Sequence, residues 1–409
     1  MKSKFIKILT LFIVSIAFLF PFFGCKKTGN GDTSDQNVES KSDEFIYITE
    51  NKEVKILSVK DKTIKNIVVP KYIDELPVTA ISDHAFKGCK NLETAYIPNC
   101  VKNMGYGVFS GCNSLAELTL PFVGKTNREK VGTKLYTLGY TFGEEPFEGS
   151  DTITQYYYFD TLDAVESADY CLPISLKTVR ITGTGNTYIP YSAFRNCTMI
   201  EKIILGDGVS SVGTFAFLGV TAEIVWDNPK MDKIDEYSMS DYKGTAFNIP
   251  SSVKTIERSG LADCEFIQNI DIPDHVTTVE PYAFRGCFSA ESLKLSKNVK
   301  KLSEYSFYFC LNLKNAELKD GLEEIGESAF MGCKALEKIV IPKTVKYIYI
   351  GAFKNCDKLK NIIISGDSDW ICYNSSFAAK TLSAKTLSDS TLTAYYLTDR
   401  YSDYIWERL

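Results

Sequence analysis

A short apolar phrase returns along most of the chain at a nearly constant interval. It centres on a phenylalanine and ends three residues later in a cysteine, and successive cysteines such as Cys310 and Cys333 lie 23 residues apart. A fixed period of this length predicts a solenoid of stacked coils. The phrase occurs at Phe86 and Cys89, Phe109 and Cys112, Phe194 and Cys197, Phe284 and Cys287, Phe307 and Cys310, Phe330 and Cys333, and Phe353 and Cys356.

Between Cys197 and Cys287 the same register continues with substitutions. Phe217 and Val220 fill the phenylalanine and cysteine positions of one coil, and later coils use Met239 with Tyr242 and Leu261 with Cys264. Since other apolar residues fill both positions without breaking the period, we predict that both positions are core.

Within each coil the hydrophobic pattern predicts a short strand. Leu336, Ile339 and Ile341 are apolar, and the last two alternate with an outward position, as in a β-strand. A second apolar pair follows three residues apart, as in Val299 and Leu302. We therefore predict a leucine-rich-repeat solenoid that is β-rich, with short parallel strands, tight turns and brief helical segments. It should have about 23 residues per coil and roughly eleven coils.

The repeat resembles a known family. Residues 336–356 read LEKIVIPKTVKYIYIGAFKNC and are similar to the BspA-like (bacterial surface protein A-like) leucine-rich repeat, LxxLxIPxxVxxIGxxAFxxC. The resemblance covers about residues 45–365. It implies an exported bacterial surface protein whose function is binding, in some members adhesion to host extracellular-matrix or plasma proteins.

The N-terminus predicts export. Residues 1–24 combine lysines with the apolar run from Ile8 to Phe20, as in a signal peptide. The segment ends in Phe22-Phe23-Gly24-Cys25, which resembles a bacterial lipobox although leucine is usual where Phe22 stands. We predict lipidation of Cys25, with a retained signal anchor or an ordinary secretory signal as alternatives. Residues 25–44 are polar and predict a flexible tether.

Charge and motifs exclude several function classes. The net charge is -5, and removal of three lysines with residues 1–24 makes it -8, so membrane attachment should come from the lipid. No basic block suggests nucleic-acid binding. His84 and His275 lie far apart in the sequence, and the cysteines form no CxxC pair. We therefore predict no metal site, no cofactor and no enzymatic activity.

The cysteine column has two open interpretations. Coils in register bring neighbouring cysteines within the range of disulfides. Because Val220 replaces one cysteine, we favour reduced thiols that fill the core.

The outward strand positions are candidate ligand contacts. They form a mixed set without a regular aromatic platform, so a solvated face and a protein-binding face both remain open. The candidates on this face are Tyr96, Ile204, Val340 and Ile363. In an adjacent row, Lys300, Lys301, Glu323, Glu324 and Lys346 predict a ladder of opposite charges between coils.

One insert, at about residues 122–175, interrupts the repeat and gathers nine aromatic residues. They contact a ligand, as aromatic hot spots do, or they pack back on the solenoid. The candidate contacts are Tyr136, Tyr140, Phe147, Tyr156, Tyr157 and Tyr158, and the remaining three aromatics are Phe142, Phe159 and Tyr170. Residues 366–409 leave the repeat and predict a cap over the last coil.

Two functions remain from sequence. The first is a cell-surface lipoprotein, at the outer membrane, that binds a host extracellular protein or another surface protein. The second is a structural or scaffolding lipoprotein that faces the periplasm.

Overall fold

The alternation of apolar and polar residues places a short strand in each turn. Leu336, Ile339 and Ile341 are buried, whereas Lys338 and Val340 are exposed. The result is a β-solenoid of about 13 turns with about 23 residues per turn, which confirms the predicted fold class. It has more turns than the eleven expected, and one of the additional turns comes from the insert.

The computed structural model describes residues 42–127, 133–158, 165–374 and 379–409. The predicted signal peptide (1–24), Cys25, the tether up to residue 41, and Phe159 lie outside the described residues.

The N-terminal turns begin with a 3₁₀ helix, Ser42–Glu44. The strands before the insert are β1 (Phe45–Glu50), β2 (Glu53–Val59), β3 (Asn66–Val68), β4 (Tyr72–Ile73), β5 (Leu76–Ile81), β6 (Thr94–Tyr96), β7 (Asn103–Met104) and β8 (Glu117–Leu120). The insert contains 3₁₀ helices at Lys134–Tyr136 and Leu138–Thr141 and an antiparallel hairpin of β9 (Ser150–Tyr158) and β10 (Val165–Pro173).

The solenoid then runs without interruption to residue 364. Its strands are β11 (Thr178–Ile189), β12 (Lys202–Val212), β13 (Glu223–Trp226), β14 (Lys233–Ile234), β15 (Thr255–Ile256), β16 (Asn269–Asp271), β17 (Thr278–Val279), β18 (Ser292–Lys294), β19 (Lys301–Leu302), β20 (Asn315–Glu317), β21 (Glu324–Ile325), β22 (Lys338–Ile341), β23 (Tyr347–Ile348) and β24 (Asn361–Ile364).

The C-terminal residues cover the last turn. They form β25 (Trp370–Tyr373), β26 (Lys380–Leu382), α1 (Ala384–Leu387), α2 (Ser390–Tyr395), a π-helical turn (Tyr396–Arg400) and β27 (Ile405–Arg408). Strand β27 pairs antiparallel with β23 and so closes the parallel row. Trp370 and Trp406 are fully buried beneath it.

Strands one turn apart pair in parallel and form two rows. The long-strand face consists of two sheets, β3-β6-β8-β11-β12-β13 and β16-β18-β20-β22-β24. The short-strand face consists of β2-β5-β7 near the N-terminus and β14-β15-β17-β19-β21-β23 farther along. Equivalent buried residues of neighbouring turns, such as Leu302 and Ile325, therefore lie side by side.

The phenylalanines form the centre of the core. The rings of Phe284, Phe307, Phe330 and Phe353 stack with centroid separations of 5.3 to 5.5 Å and nearly parallel planes. Offset stacks of this kind add roughly 0.5–1.5 kcal/mol per pair beyond the burial of their area. The column holds successive turns in axial register.

In ten of the turns, two left-handed residues make the chain bend around the core side chain. They lie two positions before and two positions after the phenylalanine or its substitute. A side chain in this conformation costs about 1–2 kcal/mol, so glycine is common there. The earlier position holds His84, Gly107, Ser192, Phe215, Tyr237, Ser259, Tyr282, Tyr305, Ser328 and Gly351, and the later one holds Gly88, Gly111, Asn196, Gly219, Asp241, Asp263, Gly286, Phe309, Gly332 and Asn355.

The cysteines lie beside the phenylalanine column and are buried. The Cys310 thiol donates a hydrogen bond to the carbonyl oxygen of Phe284, one turn earlier, at 3.3 Å, and Cys333 does the same to Phe307 at 3.3 Å. None of the eleven cysteines among the described residues is in a disulfide. Cysteine therefore suits this position as a small apolar side chain with one weak donor.

The predicted charge ladder between coils is confirmed. Lys300 and Lys301 lie 3.9 and 3.6 Å from Glu323 and Glu324 of the next turn, and Lys346 lies 2.7 Å from Glu323. Each pair is at least one-third exposed on average, so water and salt screen the attraction and the pair adds little to the stability of the stack.

The insert belongs to the stack. Strands β8 and β11 pair in register, from Glu117 with Thr178 to Leu120 with Ile181, so the insert leaves the sheet between two adjacent rungs. Its Phe142 ring then packs 6.2 Å from Phe109, and the backbone N–H of Phe109 donates to the Thr141 carbonyl oxygen at 3.0 Å. Residues 138–142 thus form an additional rung of the core.

We predict that the column thiols are unreactive until the protein unfolds. Burial raises the pKa of Cys356 to about 12. At pH 8 a thiol with that pKa is about one part in 10⁴ thiolate, the reactive form. Titration with a chromogenic aromatic disulfide should find no accessible column thiol in the native protein. In denaturant without reductant it should find the eleven cysteines other than Cys25. A count that stays low in denaturant but rises after reduction would instead show disulfides.

Candidate functional site

The long-strand face separates its predicted contact residues into distinct patches. Val340 and Ile363 pair directly on β22 and β24 and are 43% and 39% exposed. Tyr96 and Ile204 are half-buried and belong to the other sheet, on β6 and β12. The structure therefore unites Val340 with Ile363 but does not bring all four residues together.

Three of the six predicted contacts in the insert are buried. Tyr136, Tyr140 and Tyr157 are less than one-tenth exposed, and Tyr170 is fully buried. Phe147 is half-buried, and the side chain of Tyr158 lies outside the described part of the chain. The buried aromatics pack on the solenoid, which was one of the two alternatives from sequence.

Tyr156 and Gln155 attach the insert hairpin to the next turn. The guanidinium of Arg195 lies 3.9 Å from the centre of the Tyr156 ring. Gln155 is fully buried, and its Oε1 accepts a hydrogen bond from the Gly139 N–H at 2.8 Å. Its Nε2 donates to the carbonyl oxygens of Ala193 and Arg195 at 3.1 and 3.2 Å. This amide side chain thus bonds to backbone groups of both the insert and the solenoid.

The docked insert creates a cleft of about 1030 Å³ against the short-strand face, which we call the basic cleft. Exposed Lys55, Lys125 and Lys134 line it together with Asp83 and Glu144. The cleft therefore presents charges of both signs.

The tyrosines of the basic cleft are fixed in place. The Tyr106 hydroxyl accepts a hydrogen bond from the Glu144 N–H at 2.9 Å, and the Tyr106 and Tyr140 rings meet edge to face at 5.5 Å. Burial raises the pKa of Tyr140 to about 12, so its hydroxyl stays protonated. The cleft can offer hydrogen bonds but no general base from these phenols.

A row of aromatic residues along one edge of the solenoid is absent from the sequence prediction. Phe215, Tyr237, Tyr282 and Tyr305 occupy the left-handed position two residues before the core phenylalanine or its substitute, and all four are half-buried. The Tyr282 and Tyr305 rings are parallel, with centroids 4.8 Å apart, and Phe215 lies 5.6 Å from Tyr237.

Neighbouring residues extend the row. Where the left-handed position holds Ser192 or Ser259, the residue before it takes the place of the ring. Tyr191 lies 6.0 Å from the Phe215 ring, and the Arg258 guanidinium lies 5.0 Å from the Tyr282 ring. We call Tyr191, Phe215, Tyr237, Arg258, Tyr282 and Tyr305 the aromatic column.

The Tyr305 hydroxyl lies at the end of the aromatic column and has a carboxylate as its hydrogen-bond acceptor. It donates to the Glu327 carboxylate at 3.1 Å, and this hydrogen bond is the main reason that the pKa of Tyr305 is raised.

The aromatic column had a signal in the sequence. Aligning the coils on their phenylalanines places the four aromatics in one position, where other coils have glycine, serine or histidine. The strand positions do not reveal the aromatic column, because its residues belong to the turn. Bulky residues are disfavoured in a left-handed conformation, so their recurrence there indicates a role beyond chain reversal.

The described residues show no arrangement suited to metal chemistry. Within them, no group of three or more His, Cys, Asp or Glu side chains could hold a metal ion. A search of the same residues found no helix long and apolar enough to cross a membrane.

Residues 32–135, 140–267 and 261–383 match the family model described as BspA type Leucine rich repeat region, with 6 copies. Among solved structures, a leucine-rich repeat protein from Bacteroides ovatus is 19% identical, with a TM-score of 0.40 over 79% of this chain and 88% of that chain. A leucine rich cell surface protein from Faecalibacterium prausnitzii is 22% identical, with a TM-score of 0.33 over 82% of this chain and 96% of that chain. No curated protein matches the chain.

We predict that Gln155→Met destabilises the protein by roughly 1–3 kcal/mol, because it leaves the buried Gly139 N–H without an acceptor and removes the donor to the Ala193 and Arg195 carbonyl oxygens. Gln155→Glu should cost more at pH 7, where a carboxylate would face two carbonyl oxygens. The pKa of the introduced carboxyl would be raised in the folded state. The additional loss of unfolding free energy should therefore shrink as the pH falls toward 4 and the carboxyl is protonated. Urea unfolding of each variant and of the parent at pH 7 and at pH 4 measures these differences in the free energy of unfolding.

Gln268 provides the matched control because it is exposed. Gln268→Met and Gln268→Glu should change the free energy of unfolding by less than about 0.5 kcal/mol. If Gln155→Met were as stable as the parent, the amide would not be what holds the insert.

Proposed function

The chain belongs to the BspA type leucine-rich repeat family, and on that basis we propose that it is a cell-surface lipoprotein that binds proteins, with an adhesin-like role. A host extracellular protein is the proposed partner. Family membership supports binding rather than catalysis, since a repeat solenoid supplies extended surfaces.

The aromatic column carries the proposal. Tyrosine and arginine are enriched among the residues that dominate protein interfaces, where large rigid side chains supply much contact area at low entropic cost. Here two stacked tyrosines, Tyr282 and Tyr305, and the exposed Arg258 lie on consecutive turns at one edge. Stacking holds the rings in place before binding, which reduces the entropy lost on association.

The insert and the long-strand face are secondary proposed contacts. Tyr156 and Phe147 are half-buried, and Val340 with Ile363 forms an exposed apolar pair. We assign them a supporting role because the aromatic column is longer and more regular than either patch. Buried Tyr136, Tyr140 and Tyr157 would act by positioning the insert.

We predict that Tyr282→Ser with Tyr305→Ser weakens protein binding without unfolding the chain. Serine occupies the same position in three other turns, at Ser192, Ser259 and Ser328. Loss of an aromatic anchor costs about 2 kcal/mol or more, which is roughly a 30-fold weaker affinity. The measurement is capture of proteins from plasma and from matrix extract by the immobilised chain, followed by titration of each captured protein.

Tyr395→Ser serves as the control, because Tyr395 is 46% exposed on α2 and lies outside the aromatic column. It should leave the affinity unchanged. Equal binding by the parent and the double variant would remove the aromatic column from the interface and move the site to the long-strand face.

Lipid anchoring has its own test at Cys25, and we expect palmitate labelling of the parent chain but not of Cys25→Ser. The parent should partition with membranes, and Cys25→Ser should not, because the net charge of the mature chain gives no attraction to anionic lipid. Protease treatment of intact cells should degrade the anchored protein. Survival of the protein until the cells are broken would favour the periplasm-facing scaffold instead.

A further inference from the structure

A second cleft, with different chemistry, lies where the insert leaves the solenoid. Its volume is about 650 Å³, and Asn103 is shared with the basic cleft. Its walls come from β4 and β5, the segment around residues 99–103, the start of the insert at residues 122–127, and Thr184 on β11. We call it the neutral cleft.

Amides and hydroxyls dominate the polar lining of the neutral cleft. The lining has one charged side chain, Lys102, and its Nζ lies 2.8 Å from the Glu53 carboxylate, which neutralises it. The other polar side chains are Thr79, Asn99, Asn103, Thr126, Asn127 and Thr184. An amide or hydroxyl can both donate and accept hydrogen bonds, which matches a ligand whose own groups do both.

Part of this lining is already positioned. The Asn127 Nδ2 donates to the Thr184 Oγ1 at 2.8 Å, and this bond ties the start of the insert to β11. The Thr126 Oγ1 is buried and has no hydrogen-bond partner within the described residues. This oxygen has almost no accessible surface, so a ligand would be recognised by exposed groups such as the Asn103 amide.

An aromatic ring stands at the rim of the neutral cleft. Tyr72 lies on β4, is 47% exposed, and pairs with Pro77 across a tight turn. Asp74 and Glu75 adopt left-handed conformations, with φ of 49° and 63°, and form the turn that joins β4 to β5. The cleft therefore combines an apolar ring face with uncharged hydrogen-bonding groups.

We propose that the neutral cleft binds a short neutral saccharide. A pyranose ring has an apolar C–H face, which packs on an aromatic ring, and a rim of hydroxyls that donate and accept hydrogen bonds. Anionic ligands are disfavoured, because the one cation is already paired. The volume falls within the range typical of small-ligand sites. This activity is separate from the protein binding assigned to the aromatic column.

The test is binding of neutral trisaccharides, with maltotriose, cellotriose and chitotriose as probes, to the detergent-solubilised full chain by saturation-transfer NMR and calorimetry. We expect millimolar or tighter binding of at least one probe. Tyr72→Ala should weaken it at least tenfold, and Tyr72→Phe should stay within about threefold, since the ring face is kept. Tyr395→Ala, which removes an equally exposed ring elsewhere, should have no effect.

Asn103→Ala provides a second variant, because the exposed Asn103 side chain supplies an amide rather than the ring. It should also weaken binding, and circular dichroism should show both variants folded. Absence of binding for all three probes would overturn the proposal, as would equal binding by the parent and both variants. Binding of sulfated or uronic glycans alone would overturn it too and would point to the basic cleft. Tyr282→Ser with Tyr305→Ser should leave saccharide binding intact, so failure of this proposal is distinguishable from failure of the protein-binding function.

Discussion

The axial register of the coils is the constraint on which the rest of the structure depends. A single turn of about 23 residues cannot bury its apolar edge alone, and the core exists only where turns lie in register. The register is maintained by the stacked rings around Phe307, by parallel pairing of the strands, and by thiol hydrogen bonds between turns. Each element lies close to its equivalent one period away, so a feature repeated in the sequence becomes a row in space.

The requirement for axial register explains how the chain accommodates a long insert. The sheet continues from β8 to β11 as if nothing separated them, while Leu138 to Phe142 re-enters the stack and supplies a ring to the core. Gln155 then satisfies backbone groups on both the insert and the following turn. The insert is therefore part of the folded unit, and residues of the insert and of the solenoid together line the clefts beside it.

Axial register also distinguishes two kinds of candidate binding surface. The aromatic column arises from one position in each turn, so it extends along an edge and suits a large partner. The basic and neutral clefts arise where the period is broken, so each is local and suits a small group or a segment of a ligand. A solenoid that carries both kinds of surface can bind two chemically different ligands without either site depending on the other.

The sequence determined the period, the strand positions, the core role of Phe and Cys, and the charge ladder at Lys300, because each depends on contacts between equivalent positions one coil apart. Family membership follows from the same repeat. The tertiary structure decided which aromatics are exposed: Tyr140 and Tyr156 are only 16 residues apart in the insert, yet one is buried and the other stacks half-exposed on Arg195. An alignment of the coils reveals the aromatic column, but only the structure shows that its residues, such as Tyr282, adopt the left-handed conformation. The neutral cleft joins Tyr72, Asn103, Asn127 and Thr184 across more than a hundred residues. No local sequence pattern predicts that these residues lie together, because their proximity depends on where the insert docks. The docking position is determined by non-periodic contacts such as those of Gln155.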